Sequence, residues 1–236
     1  MSIKVILFDL DGTLLPMDFD VYLKDYFVRL ATKMAQNGYD SDNLMKGIYA
    51  GMEAMIKNDG SRTNEEALWN EIIAVFGEKV KEDSALFDDY YRNEFQEVKK
   101  SCGFLPEAAD TVRAIRDMGY RVILATNPMY PRYATESRVR WAGLLPEDFE
   151  LVTTYEDYCS CKPNLKYYEE ILEKIGVSAE ECLMVGNDIE EDMIAEQLGM
   201  KVFLLPADII NKYQKDISKY PQGDLKDLIE FVKELK

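Results

Sequence analysis

Asp9 and Asp11 stand two residues apart in Phe8-Asp9-Leu10-Asp11-Gly12-Thr13, directly after the apolar run of residues 3–8. Thr126-Asn127 follows a second apolar run, Lys162 precedes Pro163, and Asn187-Asp188 with Asp192 follows a third. Each group alone has an ordinary reading. An Asp-x-Asp pair commonly caps a turn, Thr-Asn and Asn-Asp cap helix starts, and a single lysine is usually solvated. Together they describe one chemistry. Carboxylates that face one another repel unless a cation stands between them, and hard oxygen donors favour magnesium over zinc. Magnesium and Lys162 would neutralise phosphate oxygens. Thr126, Asn127 and the amides of the glycine turn would hydrogen-bond the remaining ones. An aspartate in line with phosphorus can form an aspartyl-phosphate. With Asp9 as the nucleophile, Asp11 is the neighbouring acid that can handle protons.

Composition narrows the alternatives. The chain has no histidine, which removes serine–histidine and cysteine–histidine catalysis and histidine-ligated zinc. Its 28 Lys and Arg against 44 Asp and Glu give a net charge of −16. Such a chain repels nucleic acid and anionic membrane at long range, so neither is an expected partner. No run of about 20 apolar residues suggests a membrane span. The first nine residues turn acidic too soon for a signal peptide. Cys102, Cys159, Cys161 and Cys182 lack the usual zinc or redox spacing and read as reduced thiols of a cytoplasmic protein.

The chemistry needs elements that bring these groups to one place. Apolar runs at 3–8, 120–126, 182–186 and 201–205, and a weaker one at 149–153, read as buried parallel strands. Helical patterns at 106–118, 131–142, 164–175 and 189–198 alternate with them, each followed closely by a glycine, and 224–235 reads as a closing helix. Strands alternating with helices imply an α/β fold with a parallel sheet covered on both faces. Ligands bind at the carboxyl ends of such strands, where the candidate residues fall. Between the first and second strands the pattern changes. Amphipathic stretches near 18–36, 41–57, 63–76 and 83–99 predict a helical bundle.

Taken in order, Asp9-Leu10-Asp11-Gly12-Thr13-Leu14, Thr126-Asn127, Lys162-Pro163 and Gly186-Asn187-Asp188-Ile189-Glu190-Glu191-Asp192 resemble the four motifs of the haloacid dehalogenase superfamily, in its phosphatase branch. The resemblance covers almost the whole chain. It implies a Rossmann-like parallel sheet core, residues 1–16 and 100–236, with an inserted helical-bundle cap domain at 17–99. It further implies a magnesium-dependent phosphohydrolase acting on a small phosphorylated metabolite through an aspartyl-phosphate. Asp9 would be nucleophile and metal ligand. Asp11 would be the acid and base, its backbone carbonyl on the metal. Thr126, Asn127 and Lys162 would hold the phosphoryl group. A phosphomutase or phosphotransferase would share the intermediate. A non-catalytic phosphate-binding protein would not need Asp9, Asp11 and Lys162 together, and members of the dehalogenase branch usually lack an acid at the position of Asp11.

The fourth motif departs from the common pattern, which has aspartate directly after the glycine. Here Asn187 occupies that position and Asp188 follows. Asp188 is the expected metal ligand, with Asn187 and Asp192 close by as further ligands or supports. Pro16 and the aromatics that follow it read as the hinge and mouth of a capped site, or Phe19, Tyr22, Tyr26 and Phe27 read, on helical spacing, as bundle core.

Overall fold

The computed structural model describes residues 2–235. Five parallel strands form one sheet in the order β3-β2-β1-β4-β5, with β1 at Val5–Phe8, β2 at Arg121–Leu124, β3 at Leu151–Val152, β4 at Cys182–Gly186 and β5 at Lys201–Leu204. β1 is fully buried along its length. Ile6 and Phe8 join the apolar cluster on one face of the sheet, and Val5 and Leu7 join that on the other. That two-sided burial explains the unbroken apolar run, because neither face meets water. The weak 149–153 pattern is a two-residue edge strand paired only with β2.

Register brings the motif residues together. Phe8 pairs with Leu124 on one side and with Val185 on the other. The chain therefore leaves β1, β2 and β4 at one level, just before Asp9, Ala125-Thr126 and Asn187. Strand order reverses around β1, which is where the crevice of such a sheet opens.

The helices follow their sequence signals. α1 (Phe19–Gln36) is capped by the Asp18 carboxylate, α2 (Ser41–Ile56) by Asp40, and α3 (Asn64–Phe76) by a reciprocal Thr63–Glu66 box. The expected helix at 83–99 is instead interrupted. It comprises α4 (Ser84–Arg92), flanked by 3₁₀ segments at Glu78–Asp83 and Glu94–Ser101. The break falls at Asn93, whose backbone turns to φ −117° and ψ −83° while its amide N–H and side chain both still bond Asp89. α5 (Pro106–Asp117) starts on a proline, α6 (Arg132–Trp141) follows Pro131, and α7 (Leu165–Ile175) is capped by Asn164. α8 (Leu225–Glu234) closes the chain. The expected helix at 189–198 is a turn followed by a 3₁₀ segment at Met193–Leu198.

Among the described residues the stretch between β1 and α5 contains no strand. The two segments leading into and out of it lie side by side, joined by a Met17–Cys102 bridge and by the Gly103 amide on the Pro16 carbonyl at 2.7 Å. One apolar cluster runs from Ile6 and Phe8 through Leu14 and Leu15 to Tyr22, Tyr26 and Leu30. Tyr22, Tyr26 and Phe27 are thus core, whereas Phe19 remains 44% exposed. No helix among the described residues is long and apolar enough to cross a membrane.

Candidate active site

Asp9 leaves the end of β1 and meets Lys162, which arrives on the segment before α7. Lys162 is 1% exposed. Its ammonium donates to Asp9 Oδ1 at 2.8 Å and to Asp192 Oδ1 at 2.6 Å. Burial disfavours the lysine's charge, but the Asp192 and Asp9 carboxylates outweigh it and hold Lys162 well above the ordinary lysine value. A buried ammonium is tolerable only when paired in this way. Asp192 shifts upward through burial, with Lys162 opposing. Its second oxygen accepts the backbone amides of Asn187 and Asp188, each at 3.0 Å. These two bonds account for the lost helix, since the carboxylate pulls the chain after β4 into a tight turn around itself.

The other oxygen of Asp9 faces Thr13. The Thr13 hydroxyl lies 3.1 Å from Asp9 Oδ2 and 2.9 Å from Asn187 Oδ1, bridging the two loops. Gly12 permits this approach. Its φ is +80°, and a Cβ there would stand 2.3 Å from Asn187 Nδ2. The Asn187 amide also donates to the Asp208 carbonyl at 2.6 Å, which fixes its orientation. Asp188 turns to another task. Its Oδ1 accepts the amides of Glu190 and Glu191 at 2.7 and 2.9 Å.

Asp11 points to a partner that its motif does not reveal. Its Oδ2 is ion-paired with Arg138 of α6, which is fully buried and lies 4.3 Å over the Tyr130 ring. Asp11 Oδ1 is buried with no hydrogen-bond partner. Burial raises the Asp11 carboxyl above its ordinary value, and the Arg138 charge opposes that rise. Thr126 is buried at the exit of β2, where its carbonyl accepts the Thr153 and Tyr167 hydroxyls at 2.5 and 2.9 Å. The Asn127 amide donates to Glu191 at 3.0 Å.

Direct contacts therefore join Asp9, Thr13, Lys162, Asn187 and Asp192. Asp11, Thr126 and Asn127 border this group, and Asp188 is occupied in the adjoining turn. Sequence reasoning missed Arg138, Tyr130 and Glu191. Arg138 did leave a signal, because it falls on the apolar stripe of α6 with Ala134 and Trp141, and all three are buried.

For a magnesium ion the relevant question is which oxygens remain available. Among the described residues no three carboxylate, thiol or imidazole side chains converge as a cage. The hard donors at the cluster are the Asp9 carboxylate and the Asn187 amide oxygen, both at the Thr13 hydroxyl. This set suits a hard cation that keeps part of its water shell.

Comparison with known proteins finds relatives of the same fold. Residues 3–198 match the family of haloacid dehalogenase-like hydrolases. A curated relative, the glyceraldehyde 3-phosphate phosphatase of Methanothermobacter thermautotrophicus, is 26% identical over 92% of each chain. The solved structure of a HAD phosphatase from Thermococcus onnurineus superposes with a TM-score of 0.61 at 22% identity, covering 98% of both chains. A 2-haloacid dehalogenase from Pseudomonas syringae gives 0.64 at 20% identity, covering 99% of this chain and all of the other. At these identities the two structures speak for the shared fold.

Proposed function

The chain belongs to the haloacid dehalogenase-like hydrolases, and on that premise we propose that it is a magnesium-dependent phosphohydrolase acting on a small phosphorylated metabolite through an aspartyl-phosphate on Asp9. The observation that carries this reading is the buried Asp9–Lys162–Asp192 array at the carboxyl end of β1. The relative named as a phosphatase of glyceraldehyde 3-phosphate supports the reaction class.

In this reading an Asp9 carboxylate oxygen attacks phosphorus while the ester oxygen departs. Asp11 supplies the proton that the leaving oxygen takes, and Oδ1, the atom without a partner, is the one free to carry it. Water then attacks the aspartyl-phosphate, Asp11 takes back a proton, and Asp9 is restored with release of inorganic phosphate. Lys162 neutralises phosphoryl oxygens and orients Asp9. Thr126 and Asn127, at the exit of β2, complete the phosphate site. Asp9, the Asp11 backbone carbonyl and Asn187 would hold magnesium, which supplies charge neutralisation at the phosphoryl oxygens when bound. Asn187 takes this role ahead of Asp188 because one Asp188 oxygen already serves two backbone amides. Asp192 supports from behind through Lys162. The segment 17–99 acts as the cap over a core of 1–16 and 100–236, excluding water during transfer.

The test is Asp9→Asn with an aryl phosphate. Hydrolysis should vanish while the fold persists by circular dichroism, and full activity in that variant would end the nucleophile assignment. EDTA should stop turnover and added magnesium should restore it.

A further inference from the structure

A partly open cavity of about 80 Å³ lies where the insert meets the loop after β2. Its walls combine aliphatic and methionine side chains with aromatic ones, Tyr26, Trp69, Phe87 and Tyr91 from the insert and Tyr130 and Tyr155 from the core. Trp69 and Phe87 meet edge to face at 5.1 Å, as Tyr26 and Tyr130 do at 5.7 Å. The Tyr26 and Tyr91 hydroxyls are bonded to each other at 2.8 Å, so they are already satisfied. The one charged residue in the lining is Asp88.

Two residues tie this cavity to the reaction centre. Phe19 lines both the cavity and the open cleft that contains Asp11 and Asn187. Tyr130 forms a cavity wall and also carries, against its ring, the Arg138 guanidinium that pairs with Asp11. The cleft itself is walled by Asp11, Asp18, Asp20 and Asp208 with no lysine or arginine.

These features discriminate between leaving groups. A second anionic group would face four carboxylates in the cleft and Asp88 in the cavity. A polyol would bury hydroxyls against aromatic faces that return few hydrogen bonds. A neutral alkyl group gains from the walls alone. A compact alkylammonium gains from the ring faces and from the acidic approach together. The volume sets the size. It is roughly half that of an apolar cavity of about 150 Å³ that admits benzene, which limits the bound body to a compact head and excludes a nucleoside.

We propose that this aromatic cavity seats the head of a small alkylammonium phosphate ester whose phosphoryl group lies at Asp9. The proposal rests on the phosphohydrolase reading, with the P–O ester bond breaking and the alkylammonium alcohol leaving on the proton from Asp11.

The test compares kcat/KM, with magnesium present, for phosphocholine, its neutral isostere 3,3-dimethylbutyl phosphate, ethyl phosphate and glycerol 3-phosphate. Phosphocholine should exceed the isostere by roughly tenfold, the scale of one well-desolvated cation–π contact, and the isostere should exceed the other two. An isostere equal to phosphocholine, or ethyl phosphate equal to both, overturns the proposal. Asp88→Asn and Trp69→Leu should each narrow the gap between phosphocholine and the isostere. Asp88 is exposed, so its variant reads out even if Trp69→Leu does not fold, and an unchanged gap in Asp88→Asn overturns the part given to that carboxylate. Calorimetry with choline and 3,3-dimethylbutanol separates the two readings. If choline binds preferentially while no ester is hydrolysed, the cavity assignment stands and the phosphohydrolase reading falls. If ethyl phosphate is hydrolysed while choline does not bind, the cavity assignment alone falls.

Discussion

Replacing Arg138 with methionine removes the positive end of a buried pair and leaves the rest of the side-chain volume nearly filled. Arg138 is fully buried, and the Asp11 side chain retains 17% exposure. Removing one partner of a buried pair costs about 3–5 kcal/mol, because the survivor remains desolvated and unpaired. The residual exposure of Asp11 places Arg138→Met near the lower end, about 3 kcal/mol. Asp11→Asn leaves the guanidinium stacked on Tyr130, a contact that keeps about 1 kcal/mol, so a similar loss of about 3 kcal/mol is expected. The double variant carries neither charge. Its loss should therefore lie closer to either single variant than to their sum, with a coupling of about 2 kcal/mol. Urea unfolding of all four proteins in EDTA measures this, provided the m-values agree. Additive losses, within about 0.5 kcal/mol, would show that Arg138 and Asp11 are energetically independent and would refute the pairing. Against a total stability of about 5–15 kcal/mol, either single change is large, so midpoints are best read at low temperature.

Three further outcomes follow from the same geometry. Asn187→Ala should raise the magnesium concentration needed for half-maximal hydrolysis more than Asp188→Ala does, and the reverse order would return the ligand role to Asp188. Gly12→Ala should lose more stability and activity than Gly38→Ala. Both positions have positive φ, at +80° and +88°, but only at Gly12 does a Cβ meet Asn187, while Gly38 has nothing within 4 Å; equal thermal shifts would deny that the close approach matters. Burial raises the Glu191 carboxyl to about 8 from an ordinary 4.5. The folded state then holds a proton that the unfolded state releases, so this group lowers stability as pH rises from about 4.5 to 8. Glu191→Gln in EDTA should flatten that fall between pH 5.5 and 7.5, and an unchanged slope in urea titrations at the two pH values would contradict it.

What could be read from sequence divides along physical lines. Strand positions were legible because a strand buried on both faces must be apolar throughout, and the residue after it must be where the sheet ends. Asp9 and Asn187 follow directly from that, and Thr126 comes one residue further on. The interruption at Asn93 was hidden because asparagine is tolerated within helices, and only its backbone, turned to φ −117° and ψ −83°, shows that it ends one. The missing helix at 189–198 has a different origin. Local pattern favours a helix there, but Asp192 is held inward by Lys162 and by the amides at 187 and 188, so the site overrides the propensity. Arg138 was hidden for a third reason. Its partner lies 127 residues away, and an arginine on an amphipathic helix ordinarily reads as solvated. Its place on the buried stripe is the one local trace. A cation in an apolar stripe demands a carboxylate from elsewhere in the fold, because burial without one would cost several kcal/mol. In a chain whose motif already places Asp11 beside Asp9, that demand limits the partner to very few residues. The same holds for Lys162, whose two carboxylates come from the end of β1 and from the turn after β4. Buried cations thus mark where separate motifs meet, and here both of them mark the same sheet edge.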